Sequence, residues 1–133
     1  MIVFLDTNVV IYFVENTPGF GPRATREITN LRGAGHTFAV SDLVCLECRV
    51  HPLRHNNQQL LAEYDAFFSA PDVQVFPLTT AGCVRATLIR ASHNLATIDS
   101  LQLAAAIVHG CDRFLTADAR LQRCQDIQVD LLP

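Results

Sequence analysis

The sequence predicts an α/β domain whose mostly parallel sheet is covered by helices on both faces. Three observations carry that prediction. Short, apolar, β-rich runs recur along the chain: "IVFL", "TFAV", "VQVF", "RFLT" and "IQVDL". Stretches with the apolar spacing of helices lie between them. Pro, Gly, Ser and Asp punctuate the boundaries. Strands that alternate with helices need crossover connections, and these make neighbouring strands parallel and bury the sheet on both sides.

Each element has a local reason. Ile2–Leu5 is the first strand. Val9–Glu15 reads as a short helix, stopped by Asn16-Thr17-Pro18-Gly19. Pro22 suits a first helical turn, and Arg23–Arg32 continues it until Gly33 and Gly35. Thr37–Val40 is the second strand. Ser41 caps a helix running to about Val50, which Pro52 is expected to interrupt. Asn56–Ser69 is helical and Pro71 ends it. Val73–Phe76 is a strand, followed by helices over Thr79–Ser92 and Thr97–His109, the second closed by Gly110. Arg113–Thr116 is a strand, Asp118–Arg123 a short helix, and Ile127–Leu131 the last strand.

A chain of 133 residues is the size of one domain, here residues 1–133, and can bury roughly two-thirds of its unfolded surface. Half of its residues are apolar and 17% are charged, as in globular proteins. No apolar run is long enough for a membrane span, and no basic region precedes the apolar N-terminus. A soluble, cytoplasmic protein is expected. The five cysteines form no disulfide framework. Cys45 and Cys48 make a C-x-x-C, but no second pair completes a zinc pattern, so the cysteines read as small buried hydrophobes. The net charge of −3 does not advertise a nucleic-acid partner. All ten basic residues are Arg. The lack of Lys excludes P-loop and Schiff-base chemistry, whereas Arg suits bidentate contacts to phosphate.

In parallel sheets, ligands bind beyond the carboxyl ends of the strands. Asp6 follows the first strand and Asp118 follows "RFLT". Asp112 precedes "RFLT" and therefore belongs to the opposite edge. Glu47 lies on the helix after the second strand, on a stripe with Leu43, Val44 and Val50. Asp99 opens the Ala-rich helix "DSLQLAAAIVHG", which is apolar nearly all round and expected to be buried. Singly, Asp6, Asp99 and Asp118 also read as helix caps. Glu47 also reads as the partner of an Arg such as Arg85 or Arg113. Jointly, two carboxylates at the carboxyl edge and two more on helices that can face it would repel each other and raise one another's pKa. A divalent cation resolves the conflict, and an all-oxygen site suits Mg²⁺ or Mn²⁺. Ions held this way activate water and clamp the oxygens of a phosphodiester.

Three stretches, "FLDTNVVIY", "SDLVCLECRVHPL" and "IDSLQLAAAIVHGCDRFLTADARL", occur in an order that resembles PIN-domain ribonucleases, specifically the VapC-type toxins of bacterial toxin–antitoxin pairs. The resemblance runs nearly end to end. It implies a PIN-like three-layer fold with a five-stranded parallel sheet. It implies a Mg²⁺- or Mn²⁺-dependent endoribonuclease with Asp6, Glu47, Asp99 and Asp118 as catalytic, metal-holding carboxylates. Asn8 and Thr116 match supporting polar positions that orient the carboxylates or hold a water beside the ion. The stretch between Phe76 and Asp99 carries little that aligns with the family pattern. The implied partners are an RNA substrate, a small antitoxin and a second copy of the chain. Aromatics in Val9–Phe20 and Leu60–Phe68 suit such interfaces, and suit core packing equally.

Two other functions compete. One is a PIN-fold module that no longer cuts and acts only by binding RNA or an antitoxin; four intact acidic positions argue against it. The other is a phosphatase with Asp6 as nucleophile. That chemistry wants an Asp where Asn8 stands, and a Lys. The five histidines form no pair suited to metal-free catalysis, and Pro52 separates His51 from His55.

Overall fold

The computed structural model describes residues 1–133. Five strands form one parallel sheet: β1 (Ile2–Leu5), β2 (Thr37–Ser41), β3 (Val73–Phe76), β4 (Arg113–Thr116) and β5 (Gln128–Leu131), in the order β3-β2-β1-β4-β5. Phe4 of β1 lies between Ala39 of β2 and Phe114 of β4. Six helices join the strands: α1 (Thr7–Glu15), α2 (Gly21–Gly33), α3 (Asp42–Arg54), α4 (Gln58–Phe68), α5 (Thr80–His93) and α6 (Thr97–Val108). A 3-10 helix, Ala119–Arg123, leads from β4 to β5.

The strand order fixes where a ligand can sit. The chain steps outward from β1 to β2 to β3, then returns to the other side of β1 to lay down β4. With right-handed crossovers, α1–α4 therefore cover one face and α5 and α6 the other. The direction of winding reverses between β1 and β4, and a crevice opens there at the carboxyl ends of the strands. The expected three-layer α/β architecture with five parallel strands is the one observed.

The core contains 29 buried apolar residues, with Phe4 stacked on Phe114 at 5.2 Å. Ala104, Ala105 and Ala106 are all buried, which lets α6 lie close to α5 and the sheet. Gly110 takes φ 77 just after α6 and lets Cys111 N–H return to Ala106 O. A glycine there ends the helix without the steric penalty of a Cβ. Gly21 is required for space, because a Cβ would lie 2.6 Å from the carbonyl carbon of Asn16.

Several local expectations are corrected. Pro52 does not interrupt α3. It sits within the last turn, where it removes only its own N–H bond, and its carbonyl still accepts from Asn57 N–H. Its ring is buried against the core. His51 and His55 thus come within 4.4 Å, ring to ring. The buried side of α3 is Val44, Cys45, Cys48 and Pro52, rather than a stripe through Val50, which is 37% exposed. Helix α1 starts at Thr7, two residues earlier than expected, because Asp6 is its cap. The aromatics of α1 and α4 mostly pack inward. Tyr64, Phe67 and Phe68 are buried, and Phe13 meets Phe67 at 5.7 Å.

Candidate active site

The site is built from the ends of two adjacent strands, the starts of α1, α6 and the 3-10 helix, and the middle of α3. Backbone pairing of β1 with β4 extends to Asp6, whose N–H donates to Leu115 O at 3.0 Å. The Asp6 side chain is buried and held by three donors. Its Oδ1 accepts from Thr7 N–H at 2.8 Å, which caps α1. Its Oδ2 accepts the Thr116 hydroxyl at 2.7 Å and the Asn8 amide at 3.4 Å. Burial raises the Asp6 pKa from 3.8 to about 6, against the lowering effect of the Thr116 and Thr7 bonds; the charges of Asp99 and Glu47 add to the rise. Asp6 thus caps α1 and also lines the crevice, so its role as a cap does not exclude a role in the site.

Asn8 and Thr116 stitch β4 to α1. Asn8 Oδ1 accepts from Ala117 N–H at 3.2 Å, and its amide reaches Thr116 Oγ1 at 3.5 Å. Thr116 Oγ1 in turn accepts from Asp118 N–H at 3.1 Å. Thr116 is fully buried, so its hydroxyl is fixed by these partners.

Glu47 points toward the same crevice from α3. No Arg pairs with it: Arg85 takes Asp126 and Arg113 takes Asp130. Its Oε1 accepts the Thr7 hydroxyl at 2.7 Å and the Gln102 amide at 3.3 Å. Gln102 is buried on α6, one turn after Asp99, and its Oε1 accepts from Ser41 Oγ at 2.6 Å. Sequence reasoning missed Gln102. The signal was present as a lone amide in an otherwise apolar helix, since a buried amide needs partners.

Asp99 lies in the first turn of α6, not at its cap; Ala96 holds that position. Its carboxylate makes no hydrogen bond. Partial burial raises its pKa, Asp118 and Glu47 raise it further, and Arg120 opposes them. Asp118 caps the 3-10 helix through Arg120 N–H at 3.0 Å. The Arg120 guanidinium forks onto both Asp118 oxygens, with Nη2 at 2.6 Å from Oδ2, and this pairing holds the Asp118 carboxyl below its ordinary range. Arg49 and Arg90 are engaged elsewhere, on Asp65 and on Leu95 O.

Asp6, Glu47, Asp99 and Asp118 thus line one crevice of about 260 Å³, with Thr7, Asn8, Ile11 and Ile98. Of the four carboxylates, only Asp118 is in an ion pair, with Arg120. Asp112 lies at the opposite edge, where it accepts from Ile2 N–H at 2.7 Å. No three of the four carboxylates bring oxygens within 4.8 Å of one another. Direct ligation of one ion by three of them would therefore need side-chain movement, whereas one or two could reach it with waters completing the shell.

The sequence pattern of the PIN domain matches residues 3–126. The chain belongs to the PIN domain family. Solved structures of similar fold include a chain of the VapBC2 complex from Rickettsia felis bound to a promoter DNA fragment, with TM-score 0.82, 17% identity and 100% of both chains covered. VapC20 of Mycobacterium tuberculosis, a toxin that cleaves the sarcin-ricin loop, matches with TM-score 0.72 and 16% identity over 90% of this chain and 92% of that one. FitAcB from Neisseria gonorrhoeae matches with TM-score 0.72 and 18% identity over 96% and 95%. No curated protein sequence matches the chain. In this PIN domain no helix is long and apolar enough to cross a membrane.

Proposed function

We propose that this PIN domain is a metal-dependent endoribonuclease that hydrolyses RNA phosphodiester bonds as the toxin of a toxin–antitoxin pair. The observation that carries this reading is the gathering of Asp6, Glu47, Asp99 and Asp118 in one crevice with too little positive charge to balance them. The donor set fits Mg²⁺ or Mn²⁺. All four donors are carboxylates, Asp99 has no hydrogen-bond partner to give up, and buried Asp6 is costly to ionise without a cation. When bound, such an ion lowers the pKa of water and offsets the charge of a phosphodiester.

The chain's own residues divide the remaining work. Thr116, Asn8 and Thr7 hold Asp6 on the end of a rigid strand. Thr7 and Gln102 hold Glu47 in one rotamer. Arg120 shields Asp118 in the free protein and is placed to take a phosphate once a cation replaces it there. Leu46, Val50 and Leu53 expose an apolar stripe on α3 beside Glu47, which a partner chain would cover. The fold shared with chains of toxin–antitoxin complexes supports a small antitoxin as partner, and a homodimer accompanies that reading. A cytoplasmic location accompanies this reading.

The deciding experiment incubates structured RNAs with the protein in Mg²⁺, Mn²⁺ or EDTA, beside Asp6→Asn prepared identically. Discrete cuts that need metal and vanish in the variant are expected. Equal cutting by both proteins would overturn the assignment. If neither cuts, Mn²⁺ binding by calorimetry separates a missing RNA target from a crevice that holds no metal.

A further inference from the structure

Away from the carboxylate crevice, His93, Cys124 and Asp126 each present one donor atom, and these atoms lie within 4.8 Å of one another. None of the three lines the crevice. His93 is the last residue of α5, Cys124 ends the 3-10 helix, and Asp126 follows in the loop to β5. The fold itself holds these segments together: Arg123 donates to Asn94 O at 3.2 Å, across from one segment to the other.

We propose that His93, Cys124 and Asp126 form a Zn²⁺ site, with water or a further donor completing the tetrahedron. The chemistry of the set selects the ion. A thiolate, an imidazole and a carboxylate suit Zn²⁺, whereas Mg²⁺ and Mn²⁺ prefer oxygen alone. Ligands about 2.0–2.3 Å from a tetrahedral ion stand roughly 3.3–3.8 Å apart, so side-chain adjustments of about 1 Å close the site.

The surroundings are compatible with a thiolate. Burial raises the Cys124 pKa above its ordinary value and the charge of Asp126 adds to the rise; the backbone N–H groups of Asp126 and Ile127 and the charge of Arg85 oppose it, and a bound cation would supply the remaining stabilisation. Arg85 contacts Asp126 Oδ2 at 3.3 Å and leaves Oδ1 available. Both partners of that pair are more than a third exposed, so Arg85 can turn to solvent when a cation arrives. Entry is open as well: Asp126 is exposed and His93 is partly exposed. The bound ion would pin the end of α5 to the segment that starts at Asp118. The pattern was invisible in the sequence because His93 lies far from the C-x-D pair.

Co²⁺ is the probe, titrated into the full chain after chelation. One equivalent should give a near-ultraviolet thiolate-to-cobalt band with strong visible absorption from a tetrahedral ion. Zn²⁺ should bleach both and raise the Tm. An ion held by the four carboxylates gives no thiolate band, so Asp6→Asn should leave the signal intact. Cys124→Ser should abolish the band. His93→Gln and Asp126→Asn should weaken Co²⁺ binding by on the order of tenfold or more. Circular dichroism checks that each variant is folded; should Cys124→Ser unfold, His93→Gln, at a partly exposed position, decides. No band in the wild type, a band surviving in folded Cys124→Ser, or unchanged affinity in both His93→Gln and Asp126→Asn would each overturn the site.

Discussion

Thr116 donates its hydroxyl to Asp6 Oδ2 across 2.7 Å and so joins the carboxyl ends of β1 and β4 at the point where the sheet reverses its winding. The bond is buried and also opposes the desolvation that raises the Asp6 pKa. Thr116→Val keeps the shape and removes the donor. It should move the Asp6 pKa upward from about 6, because the ionised form loses its best partner. It also leaves Asp118 N–H without Thr116 Oγ1 as acceptor. A stability loss of about 1–3 kcal/mol is expected. Carboxyl NMR titration of Asp6 and urea unfolding read the two effects; an unmoved titration would show that Thr116 does not act through Asp6.

Asp6 also sets a pH dependence. It holds its proton to about pH 6 when folded, against an ordinary pKa of 3.8. Between those values the folded state binds more protons than the unfolded state. Its contribution is therefore complete below about pH 4 and lost as pH rises through about 6. The gap corresponds to on the order of 3 kcal/mol. Asp99 shifts in the same direction; Asp118 shifts in the opposite one, and its exposure screens that effect. With EDTA present, the wild type should lose stability from pH 4.5 to 7.5, and Asp6→Asn should show a much flatter profile. A variant profile as steep as the wild type's would assign the slope to other groups.

Mn²⁺ should reverse that loss at pH 7.5, where Asp6 is ionised, and do little at pH 4.5, where protons compete for the same oxygens. Thermal unfolding with and without Mn²⁺ at the two pH values makes the comparison. Equal stabilisation at both pH values would mean that the ion binds outside the crevice.

The strand and helix order, and the edge on which the carboxylates meet, were legible in the sequence because both follow from periodicity and chain direction. Asp6 directly follows β1 and Asp118 stands two residues beyond the end of β4, and no tertiary knowledge is needed to put them at the carboxyl edge. What was not legible depends on partners distant in sequence. Pro52 looked like a helix breaker because its tolerance depends on how few residues follow it in the helix. The alternative that Glu47 is half of an ion pair stayed open beside the site reading, because a single sequence cannot show that Thr7 and Gln102 supply its donors. Arg120 is one of ten arginines in the sequence, and only the fold sets it on Asp118.

Arg120 competes with any cation for Asp118. Arg120→Ala should therefore tighten Mn²⁺ binding in the absence of RNA by on the order of twofold to fivefold, the range of an exposed pair. RNA binding should weaken, since the same guanidinium is the basic group nearest the crevice. Calorimetry with Mn²⁺ and filter binding with RNA should move in opposite directions. Both affinities falling together would mean that Arg120 shapes the site rather than competing within it.

Gln102 is the test of whether the site depends on a scaffold behind the carboxylates. It accepts from Ser41 and donates to both Glu47 and Thr7, so one buried amide ties β2, α6, α3 and α1 together. Gln102→Leu leaves the Ser41 hydroxyl without this acceptor and leaves Glu47 with Thr7 alone. A stability loss of about 1–3 kcal/mol should follow. Gln102→Glu keeps the size and an acceptor for Ser41, but sets a second carboxylate against Glu47, and like charges so close raise each other's pKa. Gln102→Glu should therefore be more stable at pH 5 than at pH 7.5 relative to Gln102→Leu, and Mn²⁺ should narrow the difference. If the two variants unfold identically at both pH values, Gln102 only fills space, and Glu47 owes its position to Thr7.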